Sequence, residues 1–373
     1  MEGLGEVMFG DVYRNKKVLI TGHTGFKGSW LSAWFLKLGA NVVGVSNNIP
    51  TNPSMFQVLN LTEKIRHYES DIRDLSDISS IISKEKPDYV FHLAAQAIVS
   101  VSYKSPIDTI SSNVMGTANI LESLKKSNHK CTAILITSDK AYANVEQVWG
   151  YKENDKMGGK DIYSGSKGAA ELIIQAYTHS FFNTKECNVR LATGRAGNVI
   201  GGGDWAKDRI VVDCMKAWST GESVEIRSPK ATRPWQHVLE PLSGYLNLGM
   251  ELSQDLSLHG EAFNFGPRAE QNHTVEQLLT DLSKYWDFSH TSKAFTVTAN
   301  IPFHEAGLLK LNCDKALSFL KWQANLTYLE TIKYTSEWYY DYYMAGRNIF
   351  DVTLRQIKDY ENSAKDKGLK WTA

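Results

Sequence analysis

The chain has 373 residues, 42% hydrophobic and 22% charged, a composition typical of a soluble globular protein. Its 41 lysines and arginines balance 41 aspartates and glutamates, so no overall charge attracts nucleic acid or an acidic membrane surface. Residues 1–6 lack the pattern of a signal peptide, and no apolar run approaches the roughly 20 residues of a membrane span. The four cysteines lack metal-binding spacing, so we expect reduced thiols, no metal and a cytoplasmic location.

Short β-branched runs alternate with helical stretches in the first half, the pattern of βαβ units around a parallel sheet. The predicted strands are 18–20, 41–45, 89–93, 133–137 and 189–192, and the predicted helices are 28–38, 106–126 and 164–181. After Arg195 the chain becomes rich in glycine, aromatic residues and proline. We therefore predict an α/β fold: a Rossmann-type, doubly wound parallel sheet at 1–194, to which later segments return, a smaller mixed α/β substrate-binding lobe at 195–345, and a C-terminal tail at 346–373.

A glycine-rich turn lies between the first predicted strand and the first predicted helix. Gly22, Gly25 and Gly28 permit a tight turn and the close approach of a pyrophosphate, because none of them carries a β-carbon. The helix that follows offers free amides and the positive end of its dipole. Glycine turns are common without ligands, but this strand–turn–helix context and the GxxGxxG spacing favour a dinucleotide site of the short-chain dehydrogenase type.

The end of the second strand does not separate NAD from NADP. It reads Ser46-Asn47-Asn48, without the acid that binds the ribose of NAD or an arginine for the phosphate of NADP. Asp71 follows further along the chain and has two interpretations of equal weight. It could bind the adenine amino group, or it could cap a helix.

Tyr163 and Lys167 stand four residues apart at the start of a predicted helix, so their side chains share one helix face. A neighbouring ammonium favours phenolate over phenol, so we expect Tyr163 to act as a base at neutral pH. The same spacing also arises by chance in surface pairs. Ser138, at the end of an upstream strand, supports the catalytic interpretation, because its hydroxyl would bind the sugar hydroxyl that Tyr163 deprotonates.

Asp139 and Lys140 follow Ser138 directly and are the most informative pair in the sequence. A simple dehydrogenase or 4-epimerase needs only a hydride acceptor, the tyrosine and a hydroxyl donor. Two further ionisable groups suit a reaction that needs its own acid and base, such as loss of water across C5 and C6 of a hexose. The alternative is an ion pair at a strand end.

Several longer motifs together resemble the CDP-glucose 4,6-dehydratases, extended short-chain dehydrogenases of the NAD-dependent epimerase/dehydratase family. These motifs are 21–31 (TGHTGFKGSWL), 92–96 (HLAAQ), 137–140 (TSDK), 195–205 (RAGNVIGGGDW), 233–238 (RPWQHV), 304–306 (HEA) and 337–339 (EWY). Lys140 stands where relatives acting on dTDP-glucose and GDP-mannose carry a glutamate, which resembles the CDP-glucose branch. Ile162 replaces a common proline and Phe263 a usual tryptophan, and neither departure removes a reactive group.

The resemblance implies a lyase that converts CDP-D-glucose to CDP-4-dehydro-6-deoxy-D-glucose and water. Tyr163, with Lys167, takes the 4-hydroxyl proton as C4 is oxidised, and Lys140 in its neutral form removes the C5 proton. Protonated Asp139 releases the 6-hydroxyl as water, and a hydride returns to C6. In this family the product commonly feeds 3,6-dideoxyhexoses of bacterial surface polysaccharide, such as the O-antigen of lipopolysaccharide.

The resemblance also implies NAD as the cofactor and assigns residues to both ligands. The implied cofactor-binding residues are Gly22, Thr24, Gly25, Phe26, Lys27, Gly28, Asp71, Ile72, Leu93, Ala94, Ala95, Asn113, Tyr163 and Lys167. The implied substrate-binding residues are Gln96, Asn198, Arg209, Arg233 and Arg268. Arginine forks suit a diphosphate, and Arg233 is the best candidate, although a structural role is as reasonable for any one of them. Trp205 and Trp235 could be core residues or could line the nucleotide site.

Two other functions stay open at this point. A dehydratase or 4-epimerase for another nucleotide hexose is the nearer one, and Asp139 with Lys140 argues against the epimerase. A non-catalytic NAD(H)-binding regulator on the same fold is the second, and the intact set of Ser138, Tyr163 and Lys167 argues against it. We also expect a homo-oligomer, either a dimer or a tetramer.

Overall fold

A computed structural model describes residues 7–226, 228–286, 294–298 and 309–373, so the 304–306 motif lies outside the described residues. Its centre is a seven-stranded parallel sheet with the strand order β11-β6-β5-β4-β1-β2-β3. The order reverses between β1 and β4, and ligands of such sheets bind in the crevice beyond the carboxyl ends of the strands at that point. The predicted α/β class and doubly wound sheet are confirmed.

The strands are β1 Lys17–Thr21, β2 Asn41–Ser46, β3 Arg66–Glu69, β4 Tyr89–His92, β5 Cys131–Ile136, β6 Val189–Ala196, β7 Val199–Ile200, β8 Val224–Ile226, β9 Thr232–Arg233, β10 Gln236–His237, β11 Ala262–Phe265, β12 His273–Thr274 and β13 Phe295–Val297. The α-helices are α1 Phe26–Lys37, α2 Met55–Val58, α3 Leu75–Glu85, α4 Val99–Lys104, α5 Pro106–Ile110, α6 Gly116–Ser127, α7 Ile162–Tyr177, α8 Ile210–Ser219, α9 Leu239–Gln254, α10 Val275–Ser283, α11 Tyr328–Tyr343 and α12 Ile349–Asp366. Short 3-10 or π-helical segments lie at Phe9–Asp11, Leu61–Glu63, Ser111–Met115, Asp139–Ala141, Thr178–Phe182, Leu256–Leu258, Ala316–Leu320 and Lys370–Thr372.

Five sheet strands and three helices lie where the sequence predicts them, with shifted ends. The predicted helix 106–126 consists of α5 and α6 joined by a π-helical turn, and β6 is four residues longer than predicted. Two sheet strands were not predicted. β3 is a polar edge strand (RHYE), because an outer strand does not need a continuous apolar run. β11 closes the other edge and comes from the half of the chain assigned to the second lobe.

The segment predicted as a C-terminal tail is part of the core. Helix α12 packs against α1, where the Trp34 indole donates to Glu361 at 2.8 Å. Trp371 is fully buried and stacks on both Phe9 and Tyr360. Residues 349–372 therefore complete the hydrophobic layer that covers one face of the sheet.

The second lobe is built from short pairs of strands and helices α8, α10 and α11. β7 pairs with β10, β8 with β13, and β9 with β12. β7 directly follows the carboxyl end of β6 and pairs with β10, so this lobe begins at that edge of the main sheet. No helix in the described part of the chain is long and apolar enough to cross a membrane.

Candidate active site

The predicted glycine turn lies between β1 and α1, and its three glycines have different surroundings. Gly22 has a φ of +75°, and a β-carbon there would lie 2.8 Å from the Ala94 backbone. A β-carbon on Gly28 would lie 2.2 Å from the Gly22 carbonyl oxygen. At Gly25 the only atom nearby would be that same oxygen, at 3.3 Å, so one side of the residue is open. This open side above the start of α1 fits a pyrophosphate, as a dinucleotide requires.

Lys27, in the first turn of α1, brings a positive charge to the same place. The side chain is half-buried, and desolvation lowers its pKa to about 8 although the charge of Asp139 acts in the opposite direction. The charge of Arg209 also lowers the pKa of Lys27. The structure therefore brings Lys27 close both to Asp139, the predicted acid, and to Arg209, a predicted substrate-binding residue.

The helix-cap interpretation of Asp71 is wrong. The N-cap of α3 is Asp74, which accepts from the Asp77 amide at 3.0 Å. Asp71 instead binds the Arg73 guanidinium, with Nη2 at 2.7 Å, and this hydrogen bonding lowers the pKa of Asp71 to about 2. Asn47, after β2, donates to the same carboxylate at 3.1 Å. Asp71 therefore lies beside the end of the second strand, and its predicted adenine contact stays a prediction.

The loop after β4 carries the predicted residues 93–96 and is tied to both neighbouring elements. The amides of Leu93 and Ala94 donate to the Thr21 carbonyl and hydroxyl at 3.1 and 3.2 Å, which joins the loop to the end of β1. Ala95 is half-buried between them and Gln96. Thr24, in the glycine turn, donates to the Asn48 carbonyl at 2.7 Å, and Ile72 is buried against Gly116.

The side chains of Asn113 and Gln96 bind the protein itself. Asn113 accepts from the Gln96 amide at 2.8 Å and donates to the Gln96 carbonyl at 3.1 Å and to the Ser166 hydroxyl at 2.8 Å. Gln96 donates to the Thr109 hydroxyl at 2.9 Å and accepts from the Ile98 amide. Asn113 thus fixes the 96 loop against α7, and the predicted ligand contacts of both residues stay predictions.

Tyr163 and Lys167 lie in the first half of α7, and both side chains are buried. Desolvation, followed by the charge of Asp139, raises the pKa of Tyr163 to about 12, and a hydrogen bond with Ser138 offsets part of this rise. Burial therefore opposes the phenolate in the protein chain alone, and the expected action of Tyr163 as a base stays a prediction. Desolvation lowers the pKa of Lys167 to about 8, and the charge of Lys27 lowers it further.

Asp139 opens the short helix Asp139–Ala141 after β5, and only 4% of its surface is exposed. Its Oδ1 accepts from the Ser138 hydroxyl at 2.9 Å, whereas its buried Oδ2 has no hydrogen-bond partner among the residues that the structure describes. Desolvation raises the pKa of Asp139, although the charge of Lys140 acts against this. A buried carboxyl of this kind favours its protonated form, as a general acid requires. Lys140 is half-buried, and its amide donates to the Ser138 hydroxyl at 3.2 Å.

A buried ion pair that the sequence analysis did not identify supports this turn. Arg195 in β6 binds Glu171 in α7 through Nε and Nη2, at 2.8 and 3.0 Å. The hydroxyl of Thr137 also donates to Glu171, and Arg195 donates to the Tyr142 hydroxyl at 2.7 Å. These contacts bracket residues 138–141 from both ends. Arg195 was visible at the head of the glycine-rich motif, but nothing local indicated its partner.

Asp139 and several residues from the second half of the chain line a small cleft. Its lining residues are Asp139, Gly197, Pro234, Gln236, Gly266, Pro267, Leu309 and Leu311. Asn198 adjoins this lining and is half-buried.

The three predicted arginines differ in exposure and in their neighbours. Arg233 is half-buried and adjoins Pro234, whereas Arg268 is exposed and adjoins Pro267. Arg209, also exposed, precedes α8, and its charge lowers the pKa of Tyr163. Which arginine binds a diphosphate stays a prediction.

The glycine-rich segment 201–203 packs against side chains of the hydrophobic core. The Trp30 indole donates to the Gly202 carbonyl at 2.8 Å, and a β-carbon on Gly202 would lie 2.0 Å from Trp338. Trp205 belongs to the same core, where its indole donates to Tyr343 at 2.9 Å. Trp235 is buried, but its indole nitrogen has no partner within the described ranges. Those ranges also contain no group of three or more His, Cys, Asp or Glu side chains that could hold a metal.

The sheet order, the glycine turn and the Tyr163–Lys167 pair define a Rossmann-type short-chain dehydrogenase/reductase. Solved structures with this fold include UDP-glucose 4-epimerase of Thermotoga maritima with UDP-glucose (TM-score 0.73, 25% identity, covering 86% of this chain and 97% of that chain). Another is dTDP-glucose 4,6-dehydratase of Bacillus anthracis in complex with NAD (TM-score 0.72, 18% identity, covering 88% and 97%).

Sequence comparisons narrow the class to a family. The family model described as GDP-mannose 4,6 dehydratase matches residues 19–335. CDP-glucose 4,6-dehydratase of Salmonella typhimurium is 43% identical over 351 residues, which cover 93% of this chain and 97% of the relative. The chain belongs to the GDP-mannose 4,6-dehydratase family, and the resemblance described from its motifs is confirmed.

Proposed function

We propose that this protein is a nicotinamide-dependent lyase that converts CDP-D-glucose to CDP-4-dehydro-6-deoxy-D-glucose and water. The observation that carries the proposal is the buried Asp139 carboxyl, which favours its protonated form and lies directly before Lys140 and beside Tyr163. A 4-epimerase has no step that uses such an acid. The similarity to the Salmonella enzyme supports CDP-glucose as the substrate within the family.

NAD is the cofactor in this proposal. The open side of Gly25 and the first turn of α1, with Phe26 and Lys27, would hold the pyrophosphate. Residues 93–95, at the switch point, would line the path towards Tyr163. When bound, NAD supplies a hydride acceptor for C4, the same hydride for C6, and the positive charge of its oxidised ring.

Tyr163 takes the proton of the 4-hydroxyl, and Ser138 orients that hydroxyl. The pKa of Tyr163 must fall from about 12 for this step, and one of the two largest causes of its rise is the charge of Asp139. When Asp139 carries its proton, that cause disappears, and the Lys167 ammonium then favours the phenolate. The two groups are therefore coupled, and a protonated Asp139 prepares both the oxidation and the later elimination.

Lys140 and Asp139 perform the elimination. Oxidation at C4 makes the C5 proton acidic, and Lys140 removes it. Asp139 gives its proton to the 6-hydroxyl oxygen as the C6–O bond breaks, so water leaves and a C5=C6 double bond forms. General acid–base catalysis of this kind contributes about 10²–10⁴-fold to a rate.

A panel of CDP-, dTDP-, UDP- and GDP-hexoses tests the substrate and the reaction together. We expect CDP-glucose to give the strongest alkaline absorbance of a 4-keto product. In heavy water a solvent deuteron should enter at C5, and a label placed at C4 should reappear at C6. An epimerised hexose with its 6-hydroxyl retained would overturn the dehydratase, and absence of turnover on every sugar would favour a binding protein.

The Lys140→Met variant tests the division of roles. It should still oxidise C4, so a band near ~340 nm should accumulate without 4-keto-6-deoxy product, because only the elimination needs this general base. Product formation at the wild-type rate would show that Lys140 is only a structural cation.

We also propose a cytoplasmic homo-oligomer, a dimer or a tetramer, whose product feeds dideoxyhexoses of bacterial O-antigen. The four cysteines, all within the described residues, are unpaired, which supports a reducing compartment. Ile107 on α5 and Leu172 on the neighbouring α7 expose apolar side chains, which supports self-association.

A further inference from the structure

Gln236 is a buried polar residue of the cleft to which neither the sequence motifs nor the mechanism above assigns a role. It lies in β10, and only 1% of its surface is exposed. Its Nε2 donates to the Phe265 carbonyl at 3.2 Å, so the carboxamide is anchored to the sheet strand β11. Its Oε1 is buried without a hydrogen-bond partner among the described residues.

Asp139 lines the same cleft, and it also has a buried oxygen without a hydrogen-bond partner among the described residues. This oxygen is Oδ2, and a β-carbon on Gly197 would lie 3.0 Å from it. The remaining cleft residues are glycine, proline and leucine, so these two side chains are the polar ones in the described lining. A buried polar atom left without a partner costs about 1–3 kcal/mol, so two of them in one cleft point to a polar ligand group.

The two free atoms are chemically complementary. Protonated Asp139 offers a hydrogen, whereas the carboxamide oxygen of Gln236 can only accept one. A hydroxyl group can accept the first and donate to the second through a single oxygen. A carbonyl oxygen or an ether oxygen can satisfy only the acid.

We propose that Gln236 binds the 6-hydroxyl of the substrate and turns a lone pair of its oxygen towards Asp139. The proposal rests on the dehydratase function and adds a residue that selects and orients the leaving group. During elimination the C5 proton passes to Lys140, the C6–O bond breaks, and the oxygen takes the proton of Asp139 and leaves as water. Gln236 changes no covalent bond and undergoes no redox change, because it holds the other hydrogen of that water.

A leaving group without a hydrogen separates this role from a structural one. CDP-6-deoxy-6-fluoroglucose loses fluoride, which cannot donate to Gln236. The Gln236→Met variant of the holoenzyme should therefore form 4-keto product from CDP-glucose about 10–100-fold more slowly, the loss expected for one buried hydrogen bond. Its rate of fluoride release, followed by ¹⁹F NMR, should stay within about threefold of the wild type, because no hydrogen bond of this kind is lost.

Gln356 provides a matched control. It is also a buried glutamine whose Nε2 donates to a carbonyl, that of Tyr334 at 2.8 Å, and whose Oε1 has no partner in the described structure. It lies in α12, outside the lining of the cleft. Gln356→Met should leave the rates with both substrates unchanged, whatever it does to thermal stability.

Equal slowing of both substrates by Gln236→Met would show that Gln236 only supports the fold, and equal retention would show that it does not touch the leaving group. If the methionine variant does not fold, Gln236→Asn can replace it, because the shorter side chain keeps the carboxamide but moves its oxygen away from the cleft. We again expect slower reaction of CDP-glucose and an unchanged rate of fluoride release. Failure of the wild type to form 4-keto-6-deoxy product from any nucleotide hexose would instead overturn the dehydratase function itself.

Discussion

Two buried acids adjoin the same turn of this protein but have opposite surroundings. Glu171 is held by Arg195 through two nitrogens, at 2.8 and 3.0 Å, and by the Thr137 hydroxyl. Asp139 accepts one hydrogen bond, and its second oxygen has no partner among the described residues. Full satisfaction of a buried carboxylate fixes structure, whereas an incomplete set of partners leaves a carboxyl able to exchange its proton with a ligand.

Asp139→Asn should remove the general acid and gives the largest expected effect. The amide keeps the shape of the side chain but cannot transfer the proton, so product formation should fall about 10²–10⁴-fold. The free energy of unfolding should stay within about 1 kcal/mol of the wild type, because no satisfied contact is lost. Product assays and denaturant titration measure both, and a large loss of stability would mean that Asp139 is structural.

Arg195→Met should disrupt the buried Arg195–Glu171 ion pair. It leaves the Glu171 carboxylate buried without its cation, which should lower the free energy of unfolding by about 3–5 kcal/mol. Denaturant unfolding measures this change. The double variant Arg195→Met with Glu171→Leu removes both charges and should recover most of the loss, and a single variant as stable as the wild type would contradict the role given to the pair.

Two glycines of the phosphate loop also differ in their surroundings, because Gly22 is closely packed and Gly25 is open on one side. Gly22→Ala places a β-carbon 2.8 Å from the Ala94 backbone at a φ of +75° and should cost at least about 1–2 kcal/mol of stability. Gly25→Ala meets only the Gly22 carbonyl and should leave stability nearly unchanged while weakening NAD binding. Thermal melts and titration of NAD into the apoprotein compare the two, and unimpaired NAD binding by Gly25→Ala would argue against the assigned pyrophosphate position.

The change of kcat with pH is the smallest of the expected effects. Burial lowers the pKa of Lys167 to about 8, so its ammonium is present below that pH and is lost as the pH rises through it. The cation that favours the Tyr163 phenolate disappears at the same time, so kcat should fall above about pH 8, by at most tenfold per pH unit.

Lys27→Met sharpens this pH test. The charge of Lys27 lowers the pKa of Lys167, so removing it should move the basic limb of the kcat profile to higher pH at saturating NAD. An unchanged limb would show that another group controls it.

The parts of the site that the sequence predicted are local in the chain. The glycine turn, the Tyr163–Lys167 pair and the Ser138–Lys140 run each depend on spacing within a few residues, and α1, β5 and α7 lie where their patterns indicate. The spacing of Tyr163 and Lys167 shows the neighbouring cation but not the burial of the phenol, which raises the pKa of Tyr163.

The parts that sequence reasoning missed depend on distant contacts. The Arg195–Glu171 pair joins β6 to α7, and β11 joins the first lobe from beyond residue 260. Gln236 lines the same cleft as Asp139 because β10 pairs with β7, the short strand that follows β6. The glycine-rich segment at 201–203 was distinctive in sequence, but its compactness serves packing against Met55 and Trp338, side chains far away along the chain.

The burial of Trp371 against Phe9 has a consequence for how the protein is made. Domains generally fold in the order of synthesis, amino-terminal first. Here the layer over α1 lacks α12 and Trp371 until the ribosome has translated past residue 371. The dinucleotide lobe, although it is synthesised first, cannot complete its core before residues 349–372 have been made. Until then the sides of Phe9 and Trp34 that Trp371 covers in the folded protein lack that partner.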